Sequence, residues 1–139
     1  MRSALLATVL TACFLLGCGS PNTDKLIVGS WQNVQTPNHP PVIYRADGTY
    51  SVTIPHPVAA GASLLLTGEY ELSDGVLTTT GKDLKVVSGG PVADSFRGSI
   101  ARDLLKTQKT SITWVTKDEL VGEAQGKKVT FRRVGKVGS

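Results

Sequence analysis

From Leu64 to Leu72 the chain alternates without a break, with Leu64, Leu66, Gly68, Tyr70 and Leu72 on one side and Leu65, Thr67, Glu69 and Glu71 on the other. A period of two fits a strand with one buried and one wet face. The pattern recurs over Ile27–Gln35, where it groups Ile27, Gly29 and Trp31, and over Pro41–Ala46, Thr49–Ile54, Val76–Thr80, Lys82–Val87, Ser111–Thr116, Glu119–Ala124 and Lys128–Val134. Asp47-Gly48, Asp74-Gly75 and Gln125-Gly126 supply tight turns between these runs. Short strands this closely linked predict an all-β, antiparallel fold, either an up-and-down barrel of about eight strands or a compact sandwich. Ser88-Gly89-Gly90-Pro91 breaks the pattern. Asp94–Lys109, with Ile100, Leu104 and Leu105, then reads as one short helix.

The N-terminus follows a different logic. Arg2 gives a minimal positive start, and residues 4–16 form an uncharged apolar run too short for a comfortable membrane span. The run closes on Leu15-Leu16-Gly17-Cys18. This resembles the end of a bacterial lipoprotein signal peptide, in which Leu, then a small residue, leads into Cys. The resemblance implies that residues 1–17 are a signal peptide that is removed, and that Cys18 carries a diacylglycerol on its sulfur and an acyl group on its new amino terminus. The membrane is then a partner through that anchor. Several chains make it durable, because each buried methylene contributes about 0.8 kcal/mol and one chain alone binds marginally. Gly19 after the Cys, where Asp would imply retention, implies the outer membrane facing the periplasm in a host with two membranes. The expected location is therefore the bacterial cell envelope. Residues 18–25 read as the lipidated Cys and a flexible tether, 26–135 as the barrel domain and 136–139 as a C-terminal tail.

Loss of residues 1–17 removes Arg2 and Cys13, so 14 of the 15 basic residues remain against 11 acidic ones, and Cys18 is the only Cys left. With its sulfur acylated, no disulfide, thiol nucleophile or Cys-ligated metal is expected. Lys127, Lys128, Arg132, Arg133 and Lys136 crowd the C-terminal end. They read either as a contact for anionic headgroups, wall polymers or an acidic partner, or as a solvated strand face whose lysines guard an edge, and the second reading is preferred. No aromatic-basic platform accompanies them, so nucleic acid is not an expected partner.

Gly29-Ser30-Trp31, near the start of the first strand, resembles the G-x-W signature of lipocalins and smaller bacterial lipocalin-like domains. The likeness continues in order through Asp47-Gly48-Thr49-Tyr50, Gly68-Glu69-Tyr70, Gly75-Val76-Leu77-Thr78, Asp118-Glu119-Leu120 and Phe131-Arg132-Arg133-Val134. It implies a calycin-type barrel in which Gly lets the first strand bend, Trp plugs the closed end and an Arg of the last strand lies over the indole. Alternation from Val129 and Phe131 turns Arg133 inward, which makes Arg133 the partner of Trp31. The chain is shorter than a lipocalin of the usual size, lacks that family's disulfide and carries its irregular insert elsewhere.

Catalytic supplies are thin. His39 and His56 stand beside prolines in loops and, with Asp47, offer at most an incomplete metal set; two exposed loop histidines are the preferred reading. No serine sits in a nucleophile-elbow context, and exposure accounts for Glu69 and Glu71. Neither an enzyme nor a cofactor nor a metal is expected. Two functional classes remain. In one, Tyr44, Tyr50, Val52, Leu64, Leu66, Tyr70 and Trp114 line a pocket for a small apolar ligand or lipid. In the other, a barrel filled by those bulky side chains meets an envelope protein, as an inhibitor or accessory subunit, through the loops Thr36–Pro41, Pro55–Ala62 and Ser88–Ser99.

Overall fold

The structure is a computed structural model that describes residues 23–57 and 59–135. The expected signal peptide 1–17, the expected lipidation site Cys18, the expected tether as far as Asn22 and the expected tail 136–139 lie outside the described residues. The alternating runs become eight strands: β1 (Gly29–Asn33), β2 (Val42–Tyr44), β3 (Thr49–Pro55), β4 (Ser63–Ser73), β5 (Val76–Ser88), β6 (Thr107–Thr116), β7 (Glu119–Ala124) and β8 (Lys127–Arg133). Each pairs antiparallel with the next, and β8 returns to β1 to close a barrel. A sandwich is thereby ruled out. The two-residue links Asp74-Gly75 and Gln125-Gly126 have positive φ at both positions, the backbone that twists with the flanking strands.

Two expectations about elements need correction. Val76–Thr80 and Lys82–Val87 are one strand, β5, because Gly68 pairs with Gly81 while Thr67 pairs with Asp83, leaving Lys82 as an extra residue. This bulge inverts the alternation, so the buried set runs Leu77 and Gly81 before it and Leu84 after it. Asp94–Lys109 is not one helix either. The insert forms α2 (Gly90–Ser95) and α3 (Arg97–Leu104), whereas Thr107, Gln108 and Lys109 already pair with Thr80, Thr79 and Thr78. A ladder partner outweighs the weak helical spacing there. A further helical turn, α1 (Thr23–Leu26), takes up the last residues expected in the tether and delivers Ile27 to the barrel.

The connections sort into two ends. The floor carries α1, residues 45–48 and the turns 74–75 and 117–118; the mouth carries residues 34–41, 56–62, α2, α3 and the turn 125–126. The core divides the same way. Ile27, Trp31, Leu72, Leu77 and Leu120 pack at the floor, and Tyr50, Leu64, Leu66 and Leu84 pack toward the mouth against Ile100, Leu104 and Leu105 of the insert.

The basic C-terminal face is a solvated strand face. Lys128 sits opposite Glu123 and Arg132 opposite Glu119, with nitrogen-to-oxygen distances of 3.9 and 3.2 Å. Exposed pairs of this kind contribute roughly 0–1 kcal/mol. Their expected role as edge guards is corrected by the closure of the barrel, which leaves β8 paired on both sides.

Candidate functional site

Trp31 determines the shape of the floor. Its side chain is 1% exposed, its Nε1 donates to the Ile27 carbonyl at 2.7 Å, and its ring meets Trp114 edge-on at 5.7 Å between centroids. Arg133, its cross-strand partner, lays its guanidinium over the indole with Cζ 4.4 Å from the centroid. The guanidinium donates to the carbonyls of Val28 (2.7 Å), Leu26 (2.6 Å) and Lys117 (3.1 Å), and to Asp118 Oδ1 (3.0 Å). One planar fork thus ties together the chain entry, the β6–β7 turn and the last strand, a task that suits arginine and not lysine. Gly29 makes room for it. With φ of +136°, Gly29 takes a backbone that L side chains avoid, and a Cβ there would stand 2.5 Å from Arg133 Nη1.

Above this floor the barrel is not filled. A cavity of about 280 Å³ runs from Ile27 and Trp31 up to Leu104 and Lys106 at the mouth. Its wall is mostly hydrocarbon, supplied by residues such as Val42, Val52, Leu77, Ile112, Leu120 and Phe131. A small volume of this kind falls just below the usual run of ligand pockets, roughly 300–1,000 Å³.

Gly68 sets the mouth-side wall. A Cβ on it would press into the Thr80 carbonyl and the Tyr50 ring, so its absence lets Tyr50 lean across β4 toward β5. The Tyr50 hydroxyl there interacts with Thr79. Tyr44 packs against Tyr50 and Tyr70 at centroid separations of 6.0 and 5.0 Å. Burial, with the neighbouring phenols adding to it, pushes the Tyr44 hydroxyl far above the ordinary phenol range, and burial also raises that of Tyr50. Both phenols stay neutral donors at any physiological pH.

Of the seven side chains expected in a pocket, Tyr44, Tyr50, Val52 and Leu66 lie on the cavity wall. Leu64 is fully buried in the mouth-side cluster and does not line the cavity. Tyr70 directs its hydroxyl to the Arg45 carbonyl at 2.6 Å, and Trp114 is engaged with Trp31 in the floor. Sequence reasoning missed Thr79, Gln108 and Thr110, which face the cavity from β5 and β6. Assigning residues 94–109 to a helix hid Gln108; extending the alternation of Ile112 and Trp114 backwards would have found it and Thr110.

The histidines also need correction. His56 is 6% exposed, not a surface group, and its Nδ1 accepts the Ala59 backbone N–H at 2.9 Å. His39 is exposed at the mouth, and Asp47 caps the β2–β3 turn at the floor by accepting from the Thr49 hydroxyl at 2.6 Å. These bonds hold the Asp47 carboxyl below its usual range. Among the described residues no cluster of three metal-ligating side chains occurs.

Neither a family model nor a curated protein sequence matches the chain. Two solved structures are similar. A crystal structure of an uncharacterized protein from Bacteroides eggerthii aligns with a TM-score of 0.48 at 18% identity, over 78% of this chain and 99% of that one. An NMR structure of a protein from Burkholderia xenovorans aligns with a TM-score of 0.37 at 12% identity, over 98% and 100%. At these levels neither neighbour bears on what the barrel does.

Proposed function

We propose that the protein is a lipid-anchored lipoprotein of the bacterial cell envelope whose lipocalin-like barrel binds a small apolar molecule or lipid. The cavity of about 280 Å³ above Trp31 carries this reading. A wall of hydrocarbon, hydroxyl and amide groups, whose one ammonium, Lys106, is paired with Asp103 at the mouth, suits holding a molecule more than acid–base work on it, so the proposed role is carriage without catalysis. The sequence motif at Cys18 supports the anchor. Native mass spectrometry of the protein extracted gently from its own host tests the binding: one small molecule that co-purifies reproducibly is the expected result. An empty barrel with a retained protein partner would replace this reading with the interaction module. The latter has one observation of its own, the exposed apolar side chains Val87 and Phe96 on the mouth side, 58% and 40% accessible. Cys18→Ser tests the anchor separately, and should yield unacylated protein released from the membrane; processed protein that stays bound would overturn the lipoprotein assignment.

A further inference from the structure

The cavity wall carries a set of polar side chains. Thr79 and Gln108 are direct cross-strand partners on its inner face, Thr110 follows on β6, and Tyr44 and Tyr50 come from β2 and β3. Tyr50 has Thr79 for a partner, and the Tyr70 hydroxyl is held by the Arg45 carbonyl. Tyr44 differs. Its ring is wedged between the other two phenols, yet among the described residues nothing bonds to its hydroxyl. No fully occluded side-chain polar atom among them lacks a partner, so this hydroxyl is not fully occluded, and Tyr44 lines the cavity. A donor with no protein acceptor, on a wall that is mostly hydrocarbon, is available to an acceptor that enters the cavity.

Charge is confined to the mouth. Among the described residues, the only ionisable side chain on the wall apart from the phenols is Lys106, and its ammonium is 3.0 Å from Asp103. A carboxylate brought down to Tyr44 would leave water without meeting a cation, whereas a carbonyl or hydroxyl oxygen gives up far less hydration. The volume is also limiting, since at about 30 Å³ per water it holds roughly nine waters' worth of matter.

We propose that the cavity selects an uncharged amphiphile of about ten non-hydrogen atoms, whose single carbonyl, ester or hydroxyl oxygen accepts a hydrogen bond from Tyr44 while its hydrocarbon part rests on the Trp31 floor. This rests on the reading that the cavity holds a ligand, and it names the class. The test uses the full chain in phosphatidylcholine vesicles, with empty vesicles as the partition blank. Emission from Trp31 and Trp114, the two tryptophans of the chain, follows titration with nonanone, nonanol, nonanoate and nonane at neutral pH. Nonanone and nonanol should bind at least about tenfold more tightly than nonanoate. Tyr44→Phe should weaken both about three- to tenfold and leave nonane unchanged. Nonanoate binding as tightly as nonanol, and losing affinity in Lys106→Met but not in Tyr44→Phe, overturns the neutral class and leaves the cavity reading standing. Equal binding of all four probes that ignores Tyr44→Phe does the same. Failure of every probe, nonane included, removes the cavity reading and this proposal with it. Should Tyr44→Phe not fold, the ranking of nonanol against nonanoate on the unaltered chain decides alone.

Discussion

The floor and the mouth of this barrel are made from the same alternating sequence and end in opposite conditions. At the floor, large rings meet edge-on, and one guanidinium binds three backbone carbonyls and a carboxylate. Toward the mouth, Gly68 and Gly81 face each other across β4 and β5, α3 leans on Gly81, and unfilled volume remains between Tyr44 and β6. One end concentrates packing and directed bonds, and the other keeps space. The difference lies in where the small residues fall: Gly29 makes room for an arginine, whereas Gly68 makes room for a tyrosine that frames an opening.

If the floor is the stabilising half, Trp31→Ala should be the most damaging change, costing about 3–5 kcal/mol in urea unfolding through the cavity it leaves. A loss under about 1 kcal/mol would erase the distinction between the two ends. Arg133→Met should follow at about 1–3 kcal/mol, since it removes four bonds, the half-buried one to the Val28 carbonyl among them, and the cation above the indole, and Arg133→Lys should recover only part of that loss. Gly68→Ala should cost about 1–3 kcal/mol by overpacking Tyr50 and should also alter probe binding at the mouth, whereas the Arg133 variants should alter stability first. Tyr44→Phe should change stability least at neutral pH, because the hydroxyl removed has no partner among the described residues. Its effect belongs to alkaline solution. Burial raises the folded-state pKa of Tyr44 above the ordinary 10.0, so stability is fully present below that pH and falls as pH rises above it. Tyr44→Phe should therefore move the alkaline unfolding midpoint upward, as read by circular dichroism; an unchanged midpoint would show that Tyr44 is not enclosed.

Much of the fold was legible because alternation and turn chemistry agreed. Asp47-Gly48, Asp74-Gly75 and Gln125-Gly126 marked hairpins that the barrel contains, and the inward turn of Arg133 followed from Phe131 by counting in twos. Lys82 was not legible as a bulge, since an inserted residue and a strand break disturb a period of two in the same way. Nor did the sequence separate wall from filling. Leu64 and Leu66 share a face and a residue type, yet one is buried away from the cavity and the other lines it, because barrel curvature and the placement of α3 decide which inward side chain meets a neighbour. The polar side chains of the cavity stayed hidden for a simpler reason: Gln108 and Thr110 look like surface residues until their strand is known to face inward.

The contacts of Arg133 with Leu26 and Val28 join residues 107 and 105 positions apart. β1 and β7 each complete their pairing only when β8 has emerged, so closure of the barrel awaits the strand that ends at Arg133. A chain cut before β8 keeps β1 and β7 as open edges, the kind of surface that recruits a foreign strand. Long-range pairing of this sort also slows folding. The arginine that holds the floor therefore marks the point at which the sheet can become a closed surface.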